Sequence, residues 1–184
     1  MPLYTAEALV LRTYKLGEAD KIVVFLTRDR GKKRGVAKGA RRPRSSFTGA
    51  LEPMTEVRVA YFEKERRELV GLNYAETYRS PLTLGNPDAL GYIGYFAELL
   101  DEWAQESDAD DRLYRLGASM LDALSTGAPV EPLARYFEYW LLRLQGVYPE
   151  SQAGLSAGAA AFLAESRTVP PQQVGSVRVE LRAL

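Results

Sequence analysis

Two hydrophobic periods divide the chain. Up to about residue 80 the apolar positions come in short runs or in alternation, as strands require; beyond it they recur every three or four residues, as on one face of a helix. Residues 6–15 and 21–29 read as strands. The second contains Ile22, Val23, Val24, Phe25 and Leu26, a largely β-branched and aromatic run that suits a buried strand. Gly17 to Asp20 is turn-like, and Asp29-Arg30-Gly31 is a second turn with Gly31 placed for a positive φ. A third, more polar strand is predicted over 33–40. Residues 41–50 (RRPRSSFTGA) are loop-like, because Pro43, two serines and Gly49 break regular structure. Over 51–62 the pattern alternates, with Val57, Val59 and Tyr61 on one face and Arg58, Ala60 and Phe62 on the other. Glu63 to Arg67 is a charged turn, and 68–78 a fifth strand in which Gly71 marks a bulge or bend. Five short strands in about 80 residues point to a small barrel, and the OB-fold is such a barrel that binds oligonucleotides.

Ser80-Pro81 closes this block, and residues 81–87 (PLTLGNP) form a linker rich in breakers. A helix from about 88 to 106 follows, with Leu90, Ile93, Ala97, Leu100 and Ala104 on its apolar stripe. Leu113, Leu116, Met120, Leu121 and Leu124 mark a second, ended near Gly127. Leu133, Phe137, Trp140, Leu141 and Leu144 mark a third, with Pro132 near its start and Gly146 at its end. Residues 156–166 (SAGAAAFLAES) fit a short fourth helix, and Pro170 to Leu184 gives no clear pattern. The expected architecture is α+β: an OB-fold domain over 1–80, the linker, and an α-helical domain over 88–184.

Composition removes much chemistry. Among 184 residues there is no cysteine and no histidine. Disulfides, thiolate nucleophiles, zinc fingers and iron–sulfur clusters are excluded, as are Ser-His-Asp and Cys-His arrangements. No metal site, cofactor or catalytic residue is predicted. The N-terminus lacks the pattern of a secretory signal, and the longest apolar runs fall far short of a membrane span, so the chain reads as cytoplasmic, without membrane contact.

The formal net charge of zero hides an asymmetry. Residues 1–80 hold 17 Lys/Arg against 10 Asp/Glu, whereas 81–184 hold 7 against 14. From Arg28 to Arg44, nine basic residues face only Asp29, a density that points to a polyanion partner. Between Glu98 and Asp111 lie seven acids (Glu98, Asp101, Glu102, Glu106, Asp108, Asp110, Asp111) and no base. These read as the polar face of one helix and the first turn of the next, where the helix dipole favours acids.

An OB-fold binds a single strand by cations that track phosphates and aromatics that stack on bases. Lys32, Lys33, Arg34, Lys38, Arg41, Arg42 and Arg44 supply charge, and Arg12 and Lys15 extend the track. Five or six phosphate contacts give a log–log salt slope of about −4 on single strands. Phe47 sits inside the basic loop, with base stacking and local packing both open. Tyr61 and Phe62 lie on opposite faces, so one belongs to the core, while Tyr74 and Tyr78 are ambiguous. In the helical half Phe137 and Trp140 read as core, and Arg135 and Arg143 either face an acidic peptide tail or lie on a solvated helix face. Gly17-Glu18-Ala19-Asp20 is a polar turn rather than a carboxylate pair, and Gly31 to Gly39 does not match a P-loop.

The stretch from Glu7 to Phe62 (EALVLRTYKLGEADKIVVFLTRDRGKKRGVAKGARRPRSSFTGALEPMTEVRVAYF) strongly resembles the start of the RecO family of bacterial recombination mediators. The resemblance is carried by the Gly17-Glu18-x-Asp20 turn, Thr27 with Gly31, the Ala37–Arg42 segment, Ser45 with Phe47, and Leu51-x-Pro53. Tyr136 to Glu150 is similar to a family helix that often precedes a four-cysteine zinc site; without cysteine that site is absent here, and the helical domain reads as reduced. The resemblance implies an N-terminal OB-fold, a helical domain and no catalysis. It implies binding to single- and double-stranded DNA and annealing of complementary strands. It also implies work with RecR and RecF in loading RecA onto DNA coated with single-stranded-DNA-binding protein (SSB), whose acidic C-terminal tail the helical domain can hold. A nucleoid-associated, cytoplasmic setting follows. Charge and fold alone leave two alternatives: an RNA-binding OB-fold protein, or an adaptor whose basic loop docks an acidic partner.

Overall fold

Strand β1 (Leu3–Leu16) is long enough to serve two neighbours, and a bulge between Val10 and Arg12 bends it between them. Its first half pairs antiparallel with β4 (Glu56–Phe62), and its second half with β2 (Asp20–Thr27). β3 (Gly31–Ala37) continues from β2, and β5 (Val70–Arg79) closes the sheet, antiparallel to β4 and parallel to the last three residues of β3. The order β1-β2-β3-β5-β4 makes a closed barrel, the expected OB-fold. Three helices follow: α1 (Pro87–Trp103), α2 (Asp111–Ser125) and α3 (Val130–Leu144). The computed structural model describes residues 2–63, 68–84, 87–106 and 108–147.

Alternation along the strands sorts side chains between two cores. Val10, Val23, Phe25, Ala37, Val57, Val59, Tyr61, Val70 and Leu72 fill the barrel. The opposite face of β1 and β2, with Leu9, Leu11, Val24 and Leu26, turns outward into a second core built with α1, α2 and α3. Barrel and helices are therefore packed against each other through continuous apolar surface. Gly117 of α2 sits where a Cβ would crowd the Leu9 and Leu100 side chains, so its small size permits this approach.

Details depart from the sequence expectation. The fourth strand begins at Glu56, not near 51, because Leu51 and Met54 are drawn into the cores by a turn in which Met54 takes φ 59°. The irregularity expected at Gly71 falls beside it: pairing jumps from Ala60↔Tyr74 to Tyr61↔Leu72, which leaves Asn73 extra. Within 81–87, residues Pro81–Thr83 form a short 3₁₀ turn, with the Ser80 hydroxyl accepting the Leu82 N–H. Leu90 and Trp140, placed on apolar stripes, are 43% and 38% exposed, whereas Phe137 is fully buried. The fourth helix expected over 156–166 lies outside the described residues. Among the described residues, no helix is long and apolar enough to cross a membrane.

One polar group lies deep in the helical core. Glu138 of α3 is 3% exposed, and the Tyr95 hydroxyl donates to its Oε1 at 2.7 Å. Its Oε2 has no hydrogen-bond partner among the described residues. Burial pushes the Glu138 carboxyl up to about 8, against opposing pulls from the Tyr95 hydrogen bond and the Arg135 charge.

Candidate nucleic-acid interface

The basic stretch Arg28–Arg44 runs through β3 and out into the following loop, and its two ends are held differently. β3 meets β5 only at Gly35–Ala37, so the Gly31–Arg34 edge lies open to another partner. The acidic segment after α1 fills it. The Lys32 N–H donates to the Gln105 carbonyl at 3.1 Å, and Lys32 and Glu106 form a parallel bridge. Gly31, at φ 69°, lies so close to the Asp108 backbone that a Cβ there would overlap it.

Charge pairs reinforce this seam. Lys32 is only 9% exposed, and its Nζ donates to the Asp101 carbonyl at 2.6 Å and the Asp101 carboxylate at 3.3 Å. Arg12, which register places across β2 from Arg34, pairs with Asp101 at 3.2 Å and Glu98 at 4.0 Å. Arg34 pairs with Glu106 at 3.2 Å, and Arg28 with Asp111 at 2.8 Å and Glu7 at 3.0 Å. Lys33, on the barrel side, pairs with Glu63 at 2.8 Å. Burial works to lower the Arg12 pKa, but a hydrogen bond with Tyr14 and the charges of Asp101 and Glu98 leave it raised. Hydrogen bonds to Glu7 and Asp111 raise that of Arg28. Of the acids read as the polar face of one helix and the first turn of the next, Asp110 and Asp111 do open α2, while Glu98, Asp101, Glu106 and Asp111 also form the counter-surface of the basic strand. Among the described residues, no group of three or more acids is arranged to hold a metal ion.

Beyond β3 the picture changes. Residues 38–50 form a chain of tight turns: Arg42 N–H to Gly39 O at 3.0 Å, Ser45 N–H to Arg42 O at 3.2 Å, Thr48 N–H to Ser45 O at 3.2 Å, and Ala50 N–H to Phe47 O at 3.1 Å. Phe47, 4% exposed, enters the barrel core with Ala50 and Leu51. The loop is also tied to the β1–β2 turn. The Arg41 N–H donates to Ala19 O at 2.9 Å, its guanidinium to Gly17 O at 2.8 Å, and the Gly39 N–H to the Asp20 carboxylate at 2.8 Å. Anchored at both ends, the loop leaves Lys38, Arg41, Arg42 and Arg44 exposed. Lys15 and Lys21 face each other across the adjoining hairpin. None of these six cations pairs with a carboxylate among the described residues.

The structure thus brings together Lys15, Lys38, Arg41, Arg42 and Arg44 of the predicted track. It separates Lys32, which is a buried structural ion, and places Arg12, Lys33 and Arg34 in ion pairs. It also corrects the stacking option for Phe47: a ring buried among Ala50, Leu51 and the strands has no face left for a base. Tyr61 is likewise buried in the barrel, which leaves Tyr78 half exposed with Arg58 lying over its ring at 5.4 Å. Arg135 and Arg143 lie on α3, and Arg143 stands over the Tyr139 ring at 5.8 Å, far in sequence from the basic loop.

Sequence reasoning missed two members of this surface. Lys21 is the register partner of Lys15, and like charges placed directly opposite repel until an anion sits between them. Tyr14, 46% exposed, is the aromatic on the outer face of the same hairpin, paired in register with Ile22. The signal was the spacing of Tyr14, Lys15 and Lys21 about a tight turn, read once the hairpin register is fixed.

Comparison with known families covers both parts of the chain. The family model described as Recombination protein O N terminal matches residues 1–81, and Recombination protein O C terminal matches 84–176. A protein named DNA repair protein RecO from Koribacter versatilis is 42% identical over 150 residues, covering 80% of this chain and 61% of its own length. A protein of the same name from Anaeromyxobacter sp. (strain K) is 37% identical over 152 residues, covering 82% and 60%. Another, from Symbiobacterium thermophilum, is 35% identical over 182 residues, covering 97% and 67%. The chain spans about three fifths of the length of the first two.

Proposed function

Because the chain belongs to the RecO family, whose named relatives are DNA repair proteins, we propose that it is a DNA-binding recombination mediator whose DNA contact is the basic hairpin end of the barrel. One observation carries this reading: six cations without carboxylate partners among the described residues gather on one hairpin and the loop bonded to it. Such a surface takes the phosphates of single- or double-stranded DNA without regard to sequence, and Tyr14 beside it offers a ring to an unpaired base. By screening phosphate repulsion, it holds two complementary strands close enough to anneal. In this reading the protein acts with RecR and RecF to load RecA onto SSB-coated DNA, and Arg135 and Arg143 are the contacts for the acidic SSB tail. No catalytic step and no cofactor enter it.

The test is a salt series of anisotropy titrations on a fluorescent 30-nucleotide single strand. Lys38, Arg41, Arg42 and Arg44 changed together to Ala reduce low-salt affinity about 100-fold and flatten the log–log slope from about −4 to about −1.4, the share of Lys15 and Lys21. Annealing falls in parallel. Unchanged binding assigns the cluster to another partner, and much tighter binding of an RNA strand of the same sequence moves the reading to RNA.

A further inference from the structure

The cations of the β3 edge are already neutralised, yet two of them are not locked in place. Arg28 and Arg34 have side chains 50% and 54% exposed, and Glu106 opposite Arg34 is 59% exposed. Lys32 and Asp101, at 11% and 14%, are by contrast held in the seam. Register puts Arg12, Val24 and Arg34 in one row on the outer face, with Tyr14, Ile22 and Val36 in the next row toward the free basic end. A strand of phosphates arriving at Lys38 and the hairpin therefore finds, one row further on, an aromatic ring and then Arg34, whose present partner, Glu106, is an exposed carboxylate. Glu106 and Asp111 occupy positions that phosphates would take.

We infer that Arg34 and Arg28 form a latent extension of the DNA track, and that Glu106 and Asp111 act as intramolecular competitors for it. Lys32–Asp101 stays as the hinge of the seam while the outer carboxylates yield to phosphate. The inference rests on the DNA contact proposed above. Its consequence is two affinities in one surface: a first contact on the unpaired cations, and a longer, tighter one once the acids are displaced. Salt acts on both the DNA and the competing ion pairs, because exposed pairs are screened as phosphate contacts are.

The experiment replaces Glu106→Gln and Asp111→Asn together and repeats the 30-nucleotide titration. Affinity at 100 mM salt rises about 5-fold, and the slope steepens by about 1.4 for two added contacts. Asp88→Asn with Glu131→Gln, the same charge change in the first turns of α1 and α3, serves as control and moves affinity less than 2-fold. A double variant no tighter than this control overturns the inference. A second measurement uses the unaltered protein: hydrogen exchange in the peptide spanning 104–112 quickens on DNA binding, and protection there overturns the inference as well. Loss of binding in the Lys38/Arg41/Arg42/Arg44 variant, with no gain in the Glu106/Asp111 variant, sinks only the extension; unchanged binding in the former sinks the DNA contact itself.

Discussion

Arg28–Arg34 and Lys38–Arg44 are two halves of one basic run, equal in charge density and opposite in use. The first half lies on a strand whose open edge is filled by an acidic segment, so Arg28, Lys32 and Arg34 hold the barrel to the helical half. The second half lies on a loop, residues 38–50, that has no acid of its own, and Asp20 of the adjoining hairpin accepts the Gly39 N–H. Charge density in a sequence therefore says that anions are wanted, but not whether they come from the same chain. The difference hinges on Phe47, which pins the loop from inside and lifts its arginines outward. Phe47→Ala breaks the comparison most severely: removing a fully packed ring costs about 3–5 kcal/mol by urea unfolding. The loop cations lose their fixed placement with it. A loss below about 1 kcal/mol contradicts the plug.

The helical core holds a second kind of buried ion. Lys32 meets an opposing carboxylate, whereas among the described residues Glu138 meets only the Tyr95 hydroxyl at bonding distance. Its carboxyl, moved from 4.5 to about 8 by burial, keeps its proton in the folded chain across a window where the unfolded chain has lost it. The stabilisation is thus full below pH 4.5 and fades as pH rises through 8. Over that span unfolding free energy drops by about 2–4 kcal/mol. Glu138→Gln keeps the oxygen that accepts from Tyr95 and removes the titration, so its stability stays level from pH 5 to 8. Parallel pH profiles for the two proteins would falsify this account.

The barrel was legible because strands that bury one face advertise it. The alternation of Val57, Val59 and Tyr61 and the apolar run Ile22–Leu26 fixed which elements form and which sides face in. The helices followed from their stripes, apart from Leu90 and Trp140, whose exposure depends on which neighbours a helix meets. The site was half legible. Lys38, Arg41, Arg42 and Arg44 could be named from density alone. That Lys32 is buried and Arg34 paired depends on a contact between residues about seventy positions apart, the seam with Asp101 and Glu106, which no local pattern carries. Phe47 shows the same limit, since an aromatic in a basic loop reads equally as base platform or as plug until the loop's path is known.

The finest division concerns two neighbours on one strand. Lys32 and Arg34 both pair with acids of the same segment, but at 11% and 54% side-chain exposure water treats them differently. Lys32→Met leaves Asp101 with Arg12 as its remaining cation among the described residues and strips a donor from the Asp101 carbonyl. Because Arg12 still answers the charge, the cost is about 2 kcal/mol rather than the 3–5 of an ion left wholly uncompensated. Arg34→Met removes a solvated pair and changes stability by about 0.5 kcal/mol or less. Urea unfolding of the two variants side by side decides the matter. Equal costs mean that the seam is one uniform ion-pair network, and that Arg34 is no freer to leave it than Lys32. Costs several-fold apart place the boundary between fixed and exchangeable cations within two residues of β3.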